Sequence, residues 1–420
     1  MVAEILSKVL IPKVCKVRQH FDSARCEAVE AEVRKELRRP GTLDRIRSGE
    51  SIAIAVGSRG VANIAVIIRT LVDEVKRVGG NPFIVPAMGS HGGATAEGQV
   101  EVLASLRIQE ETMRCPIRAT METVQIGKSN TGLPVYIDKY AYEADGIIIV
   151  NRVKPHTGFR GPWESGLLKM IVIGLGKQKG AELCHARGMQ FMAQNIVSIA
   201  TVALRESKIL FGVATVENAY DQTLRIQAIP AKRILTAEPE LLLEAKKNMG
   251  SILMDEIDVL IVDEIGKNIS GDGMDPNITG NFATPYATGG IPLQRIVVLD
   301  LSEATRGNFN GLGMADFSVQ RVLDKCDFEK TYPNTLTSGC TALQKIPLIL
   351  ANDRLAIQAA IQTCDDIGRQ NPRIVRIKNT LELSKIYISE NLLENCGVNS
   401  RIEILEKPQE MSFDINGNLF

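Results

Sequence analysis

The sequence predicts an α/β protein of two domains, each with a mostly parallel sheet flanked by helices, and with the active site in the cleft between them. Short, wholly apolar runs alternate with segments of helical periodicity, the signature of parallel strands connected by helices. At 420 residues the chain also exceeds what one hydrophobic core usually serves. The rhythm breaks and restarts near residue 250, which divides an N-terminal domain at 1–250 from a C-terminal α/β domain at 251–420.

The elements follow in order. Ser51-Ile52-Ala53-Ile54-Ala55-Val56 reads as a buried strand ending at Gly57-Ser58-Arg59-Gly60, and residues 64–78 carry helical periodicity. Pro82-Phe83-Ile84-Val85 is a second strand, leading into Gly89-Ser90-His91-Gly92-Gly93-Ala94-Thr95, after which a helix resumes over 95–106. Gly146-Ile147-Ile148-Ile149-Val150 is a third strand, running into Asn151-Arg152-Val153-Lys154-Pro155-His156. A helical stretch opens at His185 and runs to Leu204, and a helix around 238–249 closes this half. Ile257-Asp258-Val259-Leu260-Ile261-Val262 restarts the pattern, followed by a long Gly-rich loop over 266–290. A strand at 296–301 and helices near 319–327 and 342–367 complete the chain. In parallel sheets, ligands collect at the carboxyl ends of the strands, where the first three loops fall.

Bulk composition excludes several function classes. Forty-five per cent hydrophobic and 23% charged residues are ordinary for a globular protein. Lys+Arg and Asp+Glu both number 49, so no charge excess points to nucleic acid or a membrane surface. No apolar run is long enough to span a bilayer, and the N-terminus lacks the apolar core of a signal peptide, so the expected location is the cytoplasm. The eight cysteines contain no C-x-x-C pair, which reads as reduced, mostly buried thiols and leaves no cysteine cage for a metal.

Three of the four histidines fall in segments suited to chemistry. Arg59 sits in a glycine-flanked loop before a helix, a setting for an anion, and small residues surround His91 in the same way. His156 lies among Arg152, Lys154 and Arg160, cations that favour a neutral ring able to accept a proton beside a carboxylate; an ordinary basic loop is the bland alternative. Lys169, within Leu167-Leu168-Lys169-Met170-Ile171-Val172-Ile173, faces a desolvation cost that either snorkelling to water or covalent attachment would relieve. Gly174-Leu175-Gly176-Lys177-Gln178-Lys179-Gly180 is a weak match to a dinucleotide loop, because its third glycine is displaced. His185, beside Cys184, is not a complete metal site by itself.

The order Arg59, His91, His156, Lys169, His185 resembles the functional series of the nickel-pincer lactate racemase family, through most of the first half of the chain. The resemblance implies a two-domain α/β enzyme, a racemase or epimerase of a 2-hydroxy acid whose N-terminal domain binds the cofactor and carries catalysis. The cofactor implied is a nickel pincer nucleotide, nickel pyridinium-3,5-bisthiocarboxylic acid mononucleotide, covalently attached through Lys169, with His185 as the protein ligand to nickel. His91 and His156 would then be the two acid/base groups, Ser58, Gly92 and Gly93 would line the cofactor, and Arg59, Arg152, Trp163 and Lys267 would face the substrate. Partners expected on this basis are the small 2-hydroxy acid and the cofactor biosynthesis enzymes. The segment between His156 and Lys169 is a few residues longer than in lactate racemases and holds the only tryptophan, Trp163. The family's polar pair in the second domain is replaced by residues 267–279, including Asp275 and Asn277, so the substrate expected is not restricted to lactate. Two rival readings are a pyridine-nucleotide-dependent oxidoreductase and a non-catalytic nucleotide- or metal-binding protein.

Overall fold

The computed structural model describes residues 2–58, 60–396 and 399–419. The chain divides into two units, Ser23–Met249 and Met1–Asp22 with Gly250–Phe420. The break after Met249 lies where the apolar rhythm restarts, but the first 22 residues do not belong with 23–249, as a 1–250 domain required. Strand Val14–Gln19 pairs antiparallel with Lys385–Ser389, register Val14↔Ser389 to Arg18↔Lys385. That pairing joins residues hundreds of positions apart, and nothing local in the sequence signals it.

The Ser23–Met249 unit is built on a five-stranded sheet in the order Asn81–Pro86, Ser51–Val56, Gly146–Arg152, Ile209–Glu217, Thr223–Pro230. Its first four strands are parallel and the last pairs antiparallel with its neighbour. Pro82 and Pro86 lack an N–H, which suits the strand that carries them to the sheet edge. Strand Ser51–Val56, next to the edge, is buried on both faces, as parallel strands between helical layers are. Alternation sends Ile52, Ile54 and Val56 to one core with the amphipathic helix Ile64–Arg77, which contributes Ile67, Ile68, Leu71 and Val75. Ala53 and Ala55 face the other core, shared with Leu167, Leu168, Met170 and Ile171. Small side chains on that face let the helix bearing Lys169 lie close to the sheet.

The second unit has an eight-stranded sheet ordered Leu348–Leu350, Phe317–Val319, Arg295–Val298, Val259–Val262, Ile374–Ile377, Lys385–Ser389, Val14–Gln19, Ile402–Ile404. Its first five strands are parallel and the remaining pairs antiparallel. Both sheets are thus parallel-rich and flanked by helices. The helix expected over 342–367 is interrupted: strand Leu348–Leu350 falls inside it, and the helix Asp353–Gln362 starts afresh where Asn352 accepts from the Leu355 N–H at 3.0 Å. No helix among the described residues is long and apolar enough to cross a membrane.

Candidate active site

Three strand ends of the Ser23–Met249 unit meet the helical segment 167–174. Gly57 and Ser58 follow Ser51–Val56, the His91 loop follows the edge strand, and the His156 loop follows Gly146–Arg152. Ser58 Oγ hydrogen-bonds His91 Nδ1, joining the first two loops. Asn151 donates to the Gly166 carbonyl at 2.7 Å, and the Gly89 N–H to the Gly174 carbonyl at 3.3 Å. A methyl group at Gly57 would come within 2.7 Å of Met170, and one at Gly174 within 2.6 Å of the Ala87 carbonyl. Glycine at 174, facing the Ala87 backbone, is what lets the loop and the helix abut there, whereas at 57 the Met170 methyl could swing aside.

Lys169 ends a short α-turn, Leu167–Lys169, that passes directly into a π-helical turn, Met170–Gly174. The Leu175 N–H reaches back five residues to the Met170 carbonyl at 2.9 Å, a geometry that recurs at functional sites. Lys169 Nζ lies 2.7 Å from His156 Nε2. At the start of this helix the buried Glu238 accepts from the Leu168 N–H at 3.1 Å, satisfying one of its orphan donors. Burial pushes the Glu238 carboxyl up to about 7, against the pull of those backbone N–H groups.

His156 is held on every side. The Gly158 N–H donates to Nδ1 at 2.9 Å, and Phe159 packs on the ring with centroids 4.2 Å apart. The His156 N–H donates to Glu164 at 2.7 Å, and Arg160 donates to the His156 carbonyl at 2.6 Å. Buried Glu164 is balanced by Lys246 at 2.6 Å and Arg160 at 3.3 Å. Burial first, then the charges of Lys169, His185, Lys154 and Arg160, holds the imidazole well below its ordinary range, so the ring is neutral near pH 7.

His185 does not open a helix; it closes one, Lys177–His185, before Gly188 at φ +89° and the next helix, Met192–Glu206. Its Nδ1 lies 2.7 Å from the Ala181 carbonyl. A carbonyl oxygen only accepts, so Nδ1 carries the proton of the neutral ring and Nε2 keeps a lone pair, the state in which histidine ligates a metal. Burial lowers its pKa, the Ala181 carbonyl opposes that, and Lys169 adds to it. Its neighbour Cys184 is buried, 3.9 Å from the Met192 sulfur, and burial pushes its thiol up to about 12. Among the described residues no three His, Cys, Asp or Glu side chains form a metal cage. A metal bound through one histidine, its other ligands supplied by an organic group on Lys169, is compatible with these residues; Lys169 and His185 lie on successive helical elements joined by the turn at 175–176.

The other expected site residues are distributed unevenly. Arg59 lies outside the described residues. Gly92 and Gly93 adopt φ of +67° and +65°. A methyl at Gly92 would meet the Gly98 and Gln99 backbone at 2.5 and 2.6 Å, whereas one at Gly93 meets nothing within 4 Å. Arg152 is engaged by Glu217, which also accepts from the Ala62 N–H at 2.7 Å, so it braces two strand ends. Trp163 is half-buried, packs against the core and donates its indole N–H to the Leu235 carbonyl at 3.0 Å. Lys267, in the other unit, donates to the Gly271 carbonyl at 2.7 Å within its own loop. There Asp275 caps the short helix Pro276–Thr279 and accepts from Asn277.

The Gly174–Gly180 segment is no phosphate loop. It joins the end of the π-helical turn at Gly174 to the helix starting at Lys177 through a turn at 175–176, and a methyl at Gly176 would meet the Val172 carbonyl at 2.1 Å, so this glycine serves close packing. Its Lys177 is fully buried, 3.1 Å from buried Asp138, and donates to the Pro86 carbonyl and to Gln99 at 3.0 Å. Gln99 in turn donates to the Gly89 and His91 carbonyls at 2.9 and 3.3 Å. This relay, which sequence reasoning missed, ties the Lys169–His185 stretch to the His91 loop. Glu164 and Glu238 were missed as well. The one available signal was an acid set among apolar or aromatic neighbours.

Residues 5–196 match the sequence profile of the lactate racemase N-terminal domain. No curated protein matches the chain. Among solved structures, the lactate racemase apoprotein from Thermoanaerobacterium thermosaccharolyticum is similar at 16% identity with a TM-score of 0.53, covering 87% of this chain and 94% of that one.

Proposed function

We propose that this chain, a homologue in the lactate racemase family, is a racemase or epimerase of a 2-hydroxy acid that works by proton-coupled hydride transfer with a nickel pincer nucleotide. The observation that carries this reading is the contact of Lys169 Nζ with His156 Nε2 at 2.7 Å, at the strand ends where the His91 loop also falls. Lys169 would hold the group covalently and the Nε2 lone pair of His185 would ligate its nickel. When bound, the group supplies the hydride acceptor and donor.

The remaining work belongs to the chain. Inverting a 2-hydroxy acid requires that the Cα hydrogen leave as hydride from one face and return to the other while the hydroxyl proton is removed and restored, and His91 and His156 are the groups proposed to exchange that proton, one on each side of the substrate. Ser58 orients the His91 ring through Nδ1, while Gly158 and Phe159 orient His156. The apolar packing of Leu167, Leu168 and Met170 behind Lys169 keeps water from the helix that presents it. The pyridine-nucleotide reading loses its main support with the Gly174–Gly180 segment, which joins two helical elements and carries a buried lysine.

The test is loading and turnover together. Protein made with the cofactor biosynthesis enzymes should gain mass on the peptide containing Lys169, and Lys169→Ala should lose that gain. Without added NAD, a single enantiomer drawn from a 2-hydroxy acid panel should approach an equal mixture with no steady release of keto acid. A strict need for NAD, or an active preparation with unmodified Lys169, would overturn the proposal.

A further inference from the structure

We infer that, before any cofactor is attached, Lys169 is held as a neutral, acylation-ready amine by the ring N–H of His156, and that acylating it is what frees His156 for substrate. The inference rests on the reading of Lys169 as the attachment site.

The argument is an inventory of protons. A neutral imidazole has one N–H. The Gly158 N–H points at Nδ1 at 2.9 Å, so Nδ1 must offer a lone pair and the ring proton sits on Nε2. Nε2 faces Lys169 Nζ at 2.7 Å. An ammonium there would set two donors against each other, whereas an amine accepts the Nε2–H with its lone pair. Placing the ring proton on Nδ1 instead would bring it head-on against the Gly158 N–H and leave both without an acceptor at that contact. Rotating the ring by half a turn would replace both nitrogen contacts with carbon, so two independent partners fix its orientation.

The chemistry follows. The Nζ lone pair forms a C–N bond to an activated acyl or thioacyl carbon, the bond from that carbon to its leaving group breaks, and the leaving group departs with one of the amine protons. No oxidant or reductant is consumed. The nitrogen of the resulting amide or thioamide is conjugated and no longer offers a lone pair. The Nε2–H loses its acceptor and turns to the substrate oxygen, where it acts as the donor half of the proton exchange.

The experiment needs neither cofactor nor substrate. Full-length protein made without the biosynthesis enzymes is exposed to limiting p-nitrophenyl acetate at pH 7, and acetylation is timed at each lysine by peptide mass spectrometry. Ordinary lysines are neutral to roughly one part in a few thousand at this pH. Lys169 should therefore be acetylated at least about tenfold faster than the exposed Lys8 and Lys407, although it is half-buried. In His156→Phe, Lys169 should fall to or below their rate. Nitrogen-15 NMR of the His156 ring, assigned by its loss in His156→Phe, should show Nε2 protonated and Nδ1 bare. A protonated Nδ1, or a Lys169 no faster than Lys8, overturns the inference. If Lys169 instead reacts fast but gains no mass during cofactor loading, the attachment reading fails while its reactivity stands.

Discussion

Replacing Glu238 by glutamine removes a titratable group from behind Lys169 while keeping an acceptor for the Leu168 N–H. In the native protein this carboxyl is buried and its pKa rises from 4.5 to about 7. An acid whose folded-state pKa is raised holds its proton more tightly in the native state. Its contribution is fully present below the unfolded pKa and is lost as pH rises through the folded one. At about 1.4 kcal/mol per pKa unit, native stability should fall by about 3 kcal/mol from this group between pH 4.5 and pH 8. Glutamine is neutral throughout and lacks that slope, so Glu238→Gln should gain on the native protein by nearly that amount over the same window. Urea unfolding from pH 5 to pH 8, read by the fluorescence of Trp163, reports on the right unit, because the indole is hydrogen-bonded to Leu235 on the helix that carries Glu238. Parallel stability curves for the two proteins would refute the reasoning and mean that Glu238 is already ionised in the native state at pH 5.

Lys177→Met should strand Asp138 in the core and cost about 3 to 5 kcal/mol in urea or thermal unfolding, as removal of one partner of a buried ion pair does; a cost under about 1 kcal/mol would show that Asp138 finds water. His185→Ala should lower bound nickel in the loaded protein far more than His91→Ala, measured by elemental analysis, and equal losses would mean the two roles are misassigned. Trp163→Phe gives up one neutral hydrogen bond to Leu235 and should cost about 1 kcal/mol of stability with KM for the 2-hydroxy acid unchanged; a large rise in KM would restore Trp163 to the substrate side. Gly92→Ala combines a left-handed backbone with a clash on the Gly98 and Gln99 backbone, so circular dichroism should show a lower Tm.

Local pattern was enough to read the parallel strands at 51–56, 82–85, 146–150, 257–262 and 296–301, since a short wholly apolar run suits a strand buried on both faces, but not those at 209–217, 317–319, 348–350 and 374–377. The strand ends with Ser58, His91 and His156 followed from the same pattern, because each apolar run stops where a Gly, Pro or charged residue begins. Hydrophobicity also marked Lys169 as costly. What the tertiary structure decided are relations between distant segments. Strand Val14–Gln19 leaves the first half of the chain because its partner, Lys385–Ser389, comes near the end. The strands Ile209–Glu217 and Thr223–Pro230 take their places beside Gly146–Arg152 through backbone hydrogen bonds, which carry no residue code. Arg152 meets Glu217 and the Trp163 indole meets the Leu235 carbonyl, partners that neither position announces because neither is adjacent in sequence. A side chain's chemistry is written at its own position, but which lone pair or charge it meets depends on where the rest of the chain brings its partner.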